Sequence, residues 1–273
     1  MSSLTKISSF YRSIFKNFPL ITFESPYPAV NEELKTKPVL YVSNWNGDPT
    51  SESMDLESLQ WQTWVKLYDP EIILLNVSNH ASPDQNTPFL EIVFHKVVLK
   101  NGLLLHLVND EQMLQIIAPW MSLLTGPIHV ALNYSMYLDE ANFRELQNHW
   151  FTKATWPLSL IRTIAQPLEK KKQLRILTEE KNLDADTIFE DAARAFSSLS
   201  DLLSNGAYFF NGDAPSILDI SLFSYAEMIL HLPLKNDQLR LSLTSNKNLL
   251  DLANRVRALA GYSSYGSVLL DDE

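Results

Sequence analysis

Ser216 and Asp219 lie three residues apart, where a turn-prone stretch that includes Gly212 and Pro215 meets a long apolar run. A serine beside a carboxylate could serve nucleophilic catalysis only with a positioned base, for which the pattern gives no support. Three residues is also the spacing of a capping box. There, the Ser216 hydroxyl accepts from the backbone N–H of residue 219, and the Asp219 carboxylate accepts from that of residue 216. We therefore predict that the pair opens a helix over about 216–231.

Apolar residues dominate this predicted helix. From Ile217 to Leu230 four polar positions interrupt them: Asp219, Ser221, Ser224 and Glu227. A surface helix would show a narrower apolar stripe, so this helix should be central to a core. Ser216 and Asp219 are accordingly interpreted as structural residues.

Metal and thiolate chemistry find little support in the composition. The chain has no cysteine, which excludes disulfides, thiolate catalysis and cysteine-ligated zinc and fits a reducing compartment. No pair of its six histidines has the i, i+4 spacing of metal ligands. They are His80, His95, His106, His129, His149 and His231. We predict no catalytic residue, no cofactor-binding residue, no metal site and no cofactor.

The net charge of −10 argues against a nucleic-acid partner, because neutralising phosphates requires clustered Lys and Arg. One basic cluster does occur among helix-forming residues: Lys170, Lys171, Lys172 and Arg175. It fits a solvated helix face, with a contact to acidic lipid or to a protein partner as the alternative.

A transmembrane helix is not expected. The most apolar stretch, Met113 to Leu132, is interrupted by Pro119 and by Gly126 with Pro127. The acidic tail, residues 263–273, lacks the character of an anchor. Any contact with a membrane should therefore be peripheral.

The first 37 residues form an amphipathic N-terminal extension. Apolar residues recur there at helical spacing, basic residues lie among serines, and the first acidic residue is Glu24. Three interpretations stay open: a mitochondrial targeting segment, an interfacial membrane helix, or a helix docked on the rest of the fold.

Strand and helix signals divide the remainder. Residues 38–110 predict a βαβ unit followed by two strands and a short helix, with Pro88 at the entrance to the third strand. Residues 111–262 predict helices only, at about 111–125, 127–147, 157–179, 184–204, 216–231 and 246–260. The fold class is therefore α/β plus all-α.

This organisation resembles the glutathione transferase fold, with a thioredoxin-like N-terminal domain at 38–110 and a helical C-terminal domain at 111–262. More narrowly, the chain resembles the metaxin family. The stretches that carry this resemblance are SMDLESL (53–59), VSNHASPDQNTPFL (77–90), HWFTKATWPLSLI (149–161), YFFNGDAPSILDISLFSY (208–225) and NKNLLDLANRV (246–256). The resemblance implies that Pro88 is the cis-proline of the thioredoxin-like half.

The metaxin resemblance also implies a function. It points to a non-enzymatic subunit of the sorting and assembly machinery, peripheral on the cytosolic face of the mitochondrial outer membrane. Expected partners are the barrel-forming subunit, a second metaxin-like subunit and β-barrel precursor proteins, bound through surface contacts. Which metaxin-type subunit the chain represents stays open.

Two alternatives remain: a glutathione-transferase-like enzyme and a cytosolic interaction module of the same shape. The end of the first strand offers several hydroxyls that could activate a thiol, namely those of Tyr41, Ser43, Thr50, Ser51 and Ser53. Transferases also place an acidic residue and a serine after the fourth strand, where this chain has Asn101 and Gly102. Moreover, ten residues between Val77 and Pro88 are too few for the second helix of a glutathione pocket. We therefore predict no enzyme activity.

Overall fold

The computed structural model describes residues 37–44, 51–53, 55–77, 81–84, 86–92, 96–108, 110–150, 168, 171–172, 174 and 184–262. The N-terminal extension up to residue 36, the acidic tail at 263–273 and most of the helix predicted at 157–179 lie outside these ranges. The described residues belong to one compact unit of the chain, which begins at Lys37.

Four short strands form one sheet. They are β1 (Val39–Val42), β2 (Ile73–Asn76), β3 (Phe89–Ile92) and β4 (Lys96–Val98), in the order β2-β1-β3-β4. The β1–β2 pair is parallel, whereas β1–β3 and β3–β4 are antiparallel. All four residues of β1 are buried, as expected for a central strand covered on both faces.

Helix α1 (Leu56–Tyr68) connects the two parallel strands, and α2 (Lys100–Leu107) follows β4. The Asp55 carboxylate accepts from Ser58 N at 2.9 Å and fixes the first turn of α1. The sequence predicts this helix from about Ser53, and it begins three residues later, at Leu56. The sequence predicts the short helix α2 from about Leu103, and it begins three residues earlier, directly after Leu99.

Helices dominate the rest of the described chain. They are α3 (Glu111–Leu123), α4 (His129–Tyr137), α5 (Glu140–Trp150), α6 (Ala185–Leu203), α7 (Ile217–His231), α8 (Gln238–Thr244) and α9 (Lys247–Leu259). A π-helical turn, Leu124–Ile128, joins α3 to α4, and a 3₁₀ turn, Phe209–Asn211, precedes α7.

The expected interruption of the apolar stretch at Pro119 and at Gly126 with Pro127 was wrong. Among the described residues, Glu111–Tyr137 is one continuous helix, long and apolar enough to cross a membrane by length and composition. The π-helical turn contains Gly126 and Pro127, so the helix continues through the residues expected to interrupt it. Its inner side lies in the core, where Leu124 and Ile128 are fully buried.

Two helix boundaries also differ from the prediction. The helix predicted at 127–147 is two helices, because Asp139 caps a new start and its carboxylate accepts from Asn142 N at 3.0 Å. Helix α8 was not predicted. Its seven residues are too few to establish a clear helical period.

Helix α7 lies at the centre of the helical part, as its composition predicts. Every residue from Ile217 to Ile229 is buried. Helix α7 packs against α1 on one side and α9 on another. It thereby joins the sheet-bearing residues to the end of the described chain.

Candidate functional site

The loop after β1 is closed by its own hydrogen bonds. The buried Asn44 side chain donates from Nδ2 to Ser51 O at 3.0 Å and to Ser51 Oγ at 2.8 Å. The Asn44 backbone N–H donates to Asn76 Oδ1 at 2.6 Å, which ties the ends of β1 and β2 together. The polar groups at this edge of the sheet are thus bonded to one another.

Two of the hydroxyls that could activate a thiol, those of Tyr41 and Ser53, form hydrogen bonds within the fold. Ser53, which is buried, donates from Oγ to Ser43 O at 2.5 Å and accepts from Asp55 N at 3.1 Å. The Tyr41 hydroxyl donates to Glu91 Oε2 at 2.8 Å. Thr50 lies outside the described residues. Ser53 and Tyr41 therefore serve as internal hydrogen-bonding groups of the sheet edge.

A lysine and a glutamate form an ion pair where the sheet meets α2. Leu99 is the N-cap of α2 without a side-chain cap, and the first turn of α2 contains no acidic residue. The Lys100 ammonium pairs with the Glu57 carboxylate of α1. The first turn of α2 therefore lacks the carboxylate that the transferase resemblance requires for the γ-glutamyl amino group, and the carboxylate of Glu57 on α1 is paired with Lys100.

A cis-proline precedes β3, and a tyrosine on α7 contacts a histidine on α4. The Thr87–Pro88 peptide is cis, and Pro88 leads directly into β3, where Phe89 lies opposite Tyr41. On α7, the Tyr225 hydroxyl is 3.1 Å from His129 Nδ1. Burial, together with the negative charge of Glu57, raises the pKa of Tyr225 above its usual value, so this hydroxyl is neutral at physiological pH.

The predicted pair at the start of α7 forms both hydrogen bonds of a capping box. Asp219 N donates to Ser216 Oγ at 3.4 Å, and Ser216 N donates to Asp219 Oδ2 at 2.7 Å. The second carboxylate oxygen of Asp219 accepts from Phe209 N at 2.9 Å. Burial raises the pKa of Asp219, and these hydrogen bonds oppose that rise. The pair therefore caps α7 and also holds the preceding 3₁₀ turn.

Other parts of the fold support the same cap. The Tyr68 hydroxyl at the end of α1 donates to Pro215 O. The Arg255 guanidinium on α9 donates to Ala207 O at 2.7 Å from its terminal nitrogen and at 3.1 Å from Nε. The stretch from 207 to 216 is thus held by α1, α7 and α9 together.

A buried ion network, not predicted from the sequence, joins the loop after β1 to α7 and α9. Arg257 pairs with Glu227 and lies 3.4 Å from Glu52, measured from Nη1 to Oε1. His231 Nε2 is 3.2 Å from Glu227 Oε2 and 3.2 Å from Arg257 Nη2. The sequence did carry one signal, because a glutamate inside a core helix requires a charged or hydrogen-bonding partner.

Tyr262 continues this connection beyond α9. Its hydroxyl lies 3.1 Å from Thr63 Oγ1, and Lys66 Nζ lies 3.7 Å from the centre of its ring. Both partners belong to α1.

Within the described part of the chain, no group of three or more His, Cys, Asp or Glu side chains is arranged to hold a metal ion.

A family match supports a glutathione-transferase-like helical part. Residues 192–256 match the family described as "Glutathione S-transferase, C-terminal domain". The solved structure of glutathione S-transferase III in its apo form superposes with a TM-score of 0.47 at 12% identity, covering 82% of this chain and 92% of that chain. The sheet, the helical second part and the family match define a glutathione-transferase-like fold, which confirms the predicted fold class.

The sequence relatives are metaxins. Human Metaxin-1 is 25% identical over 234 residues, covering 79% of this chain and 50% of that protein. Mouse Metaxin-1 is 25% identical over 223 residues, covering 75% of this chain and 70% of that protein. The chain therefore spans about half the length of the human relative. These matches support the assignment of the chain to the metaxin family, as the sequence resemblance predicts.

Proposed function

We propose that the chain is a non-enzymatic subunit of the sorting and assembly machinery of the mitochondrial outer membrane. It would lie on the cytosolic face and help to insert β-barrel precursors. The observation that carries the proposal is the similarity to Metaxin-1 over 79% of the chain. The expected partners are the barrel-forming subunit, a second metaxin-like subunit and the precursors themselves.

The start of α2 supports a role without glutathione chemistry. A transferase would need a carboxylate there for the γ-glutamyl amino group, but Lys100 brings a positive charge and pairs with Glu57. A paired ammonium group offers no acceptor for the amino group of the ligand. Ser53, a buried residue just before α1, donates from its hydroxyl to the backbone of Ser43.

Depletion of the chain in cells of the source organism tests the proposed role. Assembled β-barrel proteins of the outer membrane should decline, while matrix proteins are at first imported normally. Normal barrel assembly in the absence of the chain would contradict the proposal.

Alkaline carbonate extraction tests the proposed peripheral attachment. The chain should be released from isolated mitochondria, and protease added from outside should degrade it before extraction. Retention in the carbonate pellet would exclude peripheral attachment.

A further inference from the structure

Exposed apolar side chains are concentrated along one stretch of the chain. Four of the eight large ones among the described residues lie between positions 97 and 116: Val97, Leu99, Leu105 and Ile116. Leu105 is 68% exposed and Ile116 is 56% exposed. They belong to the edge strand β4, to the start and middle of α2, and to α3. Of these, Ile116 lies on a helix side whose other exposed residues are also uncharged, and such uncharged surface marks a contact site more often than scattered single residues do.

The outer side of α3 around Ile116 carries no charge. We define the α3 face by its exposed residues Gln115, Ile116, Ala118, Pro119, Ser122 and Thr125. No charged side chain occurs between Glu111 and Asp139. The continuous helix Glu111–Tyr137 contains an apolar segment of 18 residues, and only 22% of the residues in this segment are buried.

The hydroxyl groups of the α3 face already have partners within the helix. Ser122 Oγ donates to Pro119 O at 2.5 Å, and Thr125 Oγ1 donates to Met121 O at 3.0 Å. Covering these hydroxyls therefore does not leave a buried donor without an acceptor. At Gly126 an added Cβ would meet no atom within 4 Å, so a second helix could approach closely there.

The charges around the α3 face argue against a lipid surface as the occupant. Between Lys100, which is paired with Glu57, and Arg144 the sequence contains no lysine or arginine. Helices that lie on membranes rely on basic residues for attraction to anionic headgroups. The exposed Asp110 and Glu111 at the start of α3 would instead be repelled by them.

The net charge argues against a second copy of the chain. Two bodies that each carry a net charge of −10 repel one another, and a large net charge keeps proteins monomeric. A partner of positive net charge is attracted by the negative charge of the chain, above all near Asp110 and Glu111.

We propose that the α3 face is the docking surface for a different protein of basic net charge. This partner presents an apolar helix whose margin carries Lys or Arg facing Asp110 and Glu111. The inference rests on the proposed function in one respect, since it names the surface through which the subunit joins its assembly.

The test introduces a charge at the centre of this surface. Ile116→Glu should release the tagged chain from its native complex in mitochondrial extracts, with at least a tenfold loss of complex on a native gel. Leu241→Glu is the matched control, because Leu241 is 62% exposed on α8, away from this surface in sequence. Both purified variants should melt like the parent protein, which shows that any effect of Ile116→Glu comes from the surface.

Photocrosslinking identifies the occupant. A photoreactive amino acid at position 116 should crosslink to one protein, in a peptide that is apolar and carries Lys or Arg, whereas position 241 should not. Glu111→Lys should weaken this crosslink severalfold. An unchanged complex in Ile116→Glu, or a crosslinked segment without basic residues, would overturn the proposal.

Two further measurements distinguish other occupants. A purified dimer that Ile116→Glu dissociates would assign the face to a second copy. Flotation with vesicles that contain phosphatidylserine, lost in Ile116→Glu, would assign it to lipid. Either result overturns the proposal. Barrel assembly is measured in the same cells to separate the two inferences. An intact complex in Ile116→Glu refutes the docking surface. Normal assembly of β-barrel proteins after depletion of the chain refutes the proposed function.

Discussion

Replacing Arg257 by Met should be among the most destabilising single substitutions in this chain. The change removes the guanidinium and keeps most of the side-chain volume. It leaves two carboxylates, those of Glu227 and Glu52, without the cation between them. The side chains of Arg257, Glu227 and Glu52 are 12%, 6% and 10% exposed, so solvent offers little compensation.

The expected cost follows from this burial. Breaking a buried ion pair by removing one partner costs about 3–5 kcal/mol, because an uncompensated charge is left behind. For a domain of this size, each kcal/mol lowers the melting temperature by about 2–4 °C, so the variant should melt about 6–20 °C lower. His231, 3.2 Å from Glu227, offers a second cation only when it is protonated.

Urea unfolding at neutral pH measures this effect. Adding Glu227→Gln to Arg257→Met should recover part of the loss, since it removes one of the two buried charges. Arg194→Met is the matched control. Arg194 pairs with Asp191 on the exposed side of α6, and its removal should cost less than about 1 kcal/mol. A free energy of unfolding for Arg257→Met within about 0.5 kcal/mol of the parent would refute the reasoning.

Three further predictions concern the cap, the absence of a ligand and the response to alkali. Ser216→Ala combined with Asp219→Ala should lower the free energy of unfolding by about 1–3 kcal/mol, and an unchanged melting temperature would contradict the capping role. Calorimetry should detect no saturable binding of glutathione at physiological concentration, and such binding would revive the enzyme interpretation. Burial raises the pKa of Tyr137 to about 12 from its usual 10.0, so its contribution to stability should be complete below pH 10 and lost as the pH rises towards 12. Urea unfolding between pH 10 and pH 12 should show that the free energy of unfolding declines less steeply with pH for Tyr137→Phe than for the parent. Equal declines in the two proteins would contradict this role of Tyr137.

Much of the fold could be predicted because its signals are local. The apolar run in β1, the capping residues at 216 and 219 and the uninterrupted apolar character of α7 each depend on neighbours in sequence. The continuous helix Glu111–Tyr137 was missed for the same reason. Local rules treat Pro119 and Pro127 as interruptions, whereas packing of Ile117, Leu124 and Ile128 in the core holds the helix together through a π-helical turn.

The contacts that define the candidate site could not be predicted, because they join distant residues. Lys100 and Glu57 are separated by a helix and three strands, and their pairing depends on how α2 meets α1. Arg257 and Glu52 lie near opposite ends of the described chain. A single sequence shows that Glu227 needs a partner but does not identify which arginine supplies it.

The contacts of Tyr262 and Arg257 set a time constraint on biosynthesis. Thr63 and Tyr262 are 199 residues apart, so α1 cannot complete its packing until nearly the whole chain has been made. At a synthesis rate of about 5–20 residues per second, this delay is about 10–40 s. During that interval the nascent chain holds Glu52 without Arg257 and exposes the apolar side of α1. Ribosome-bound chains that end before residue 257 should therefore be sensitive to protease and occupied by chaperones, whereas chains that expose residue 262 outside the ribosome should become resistant.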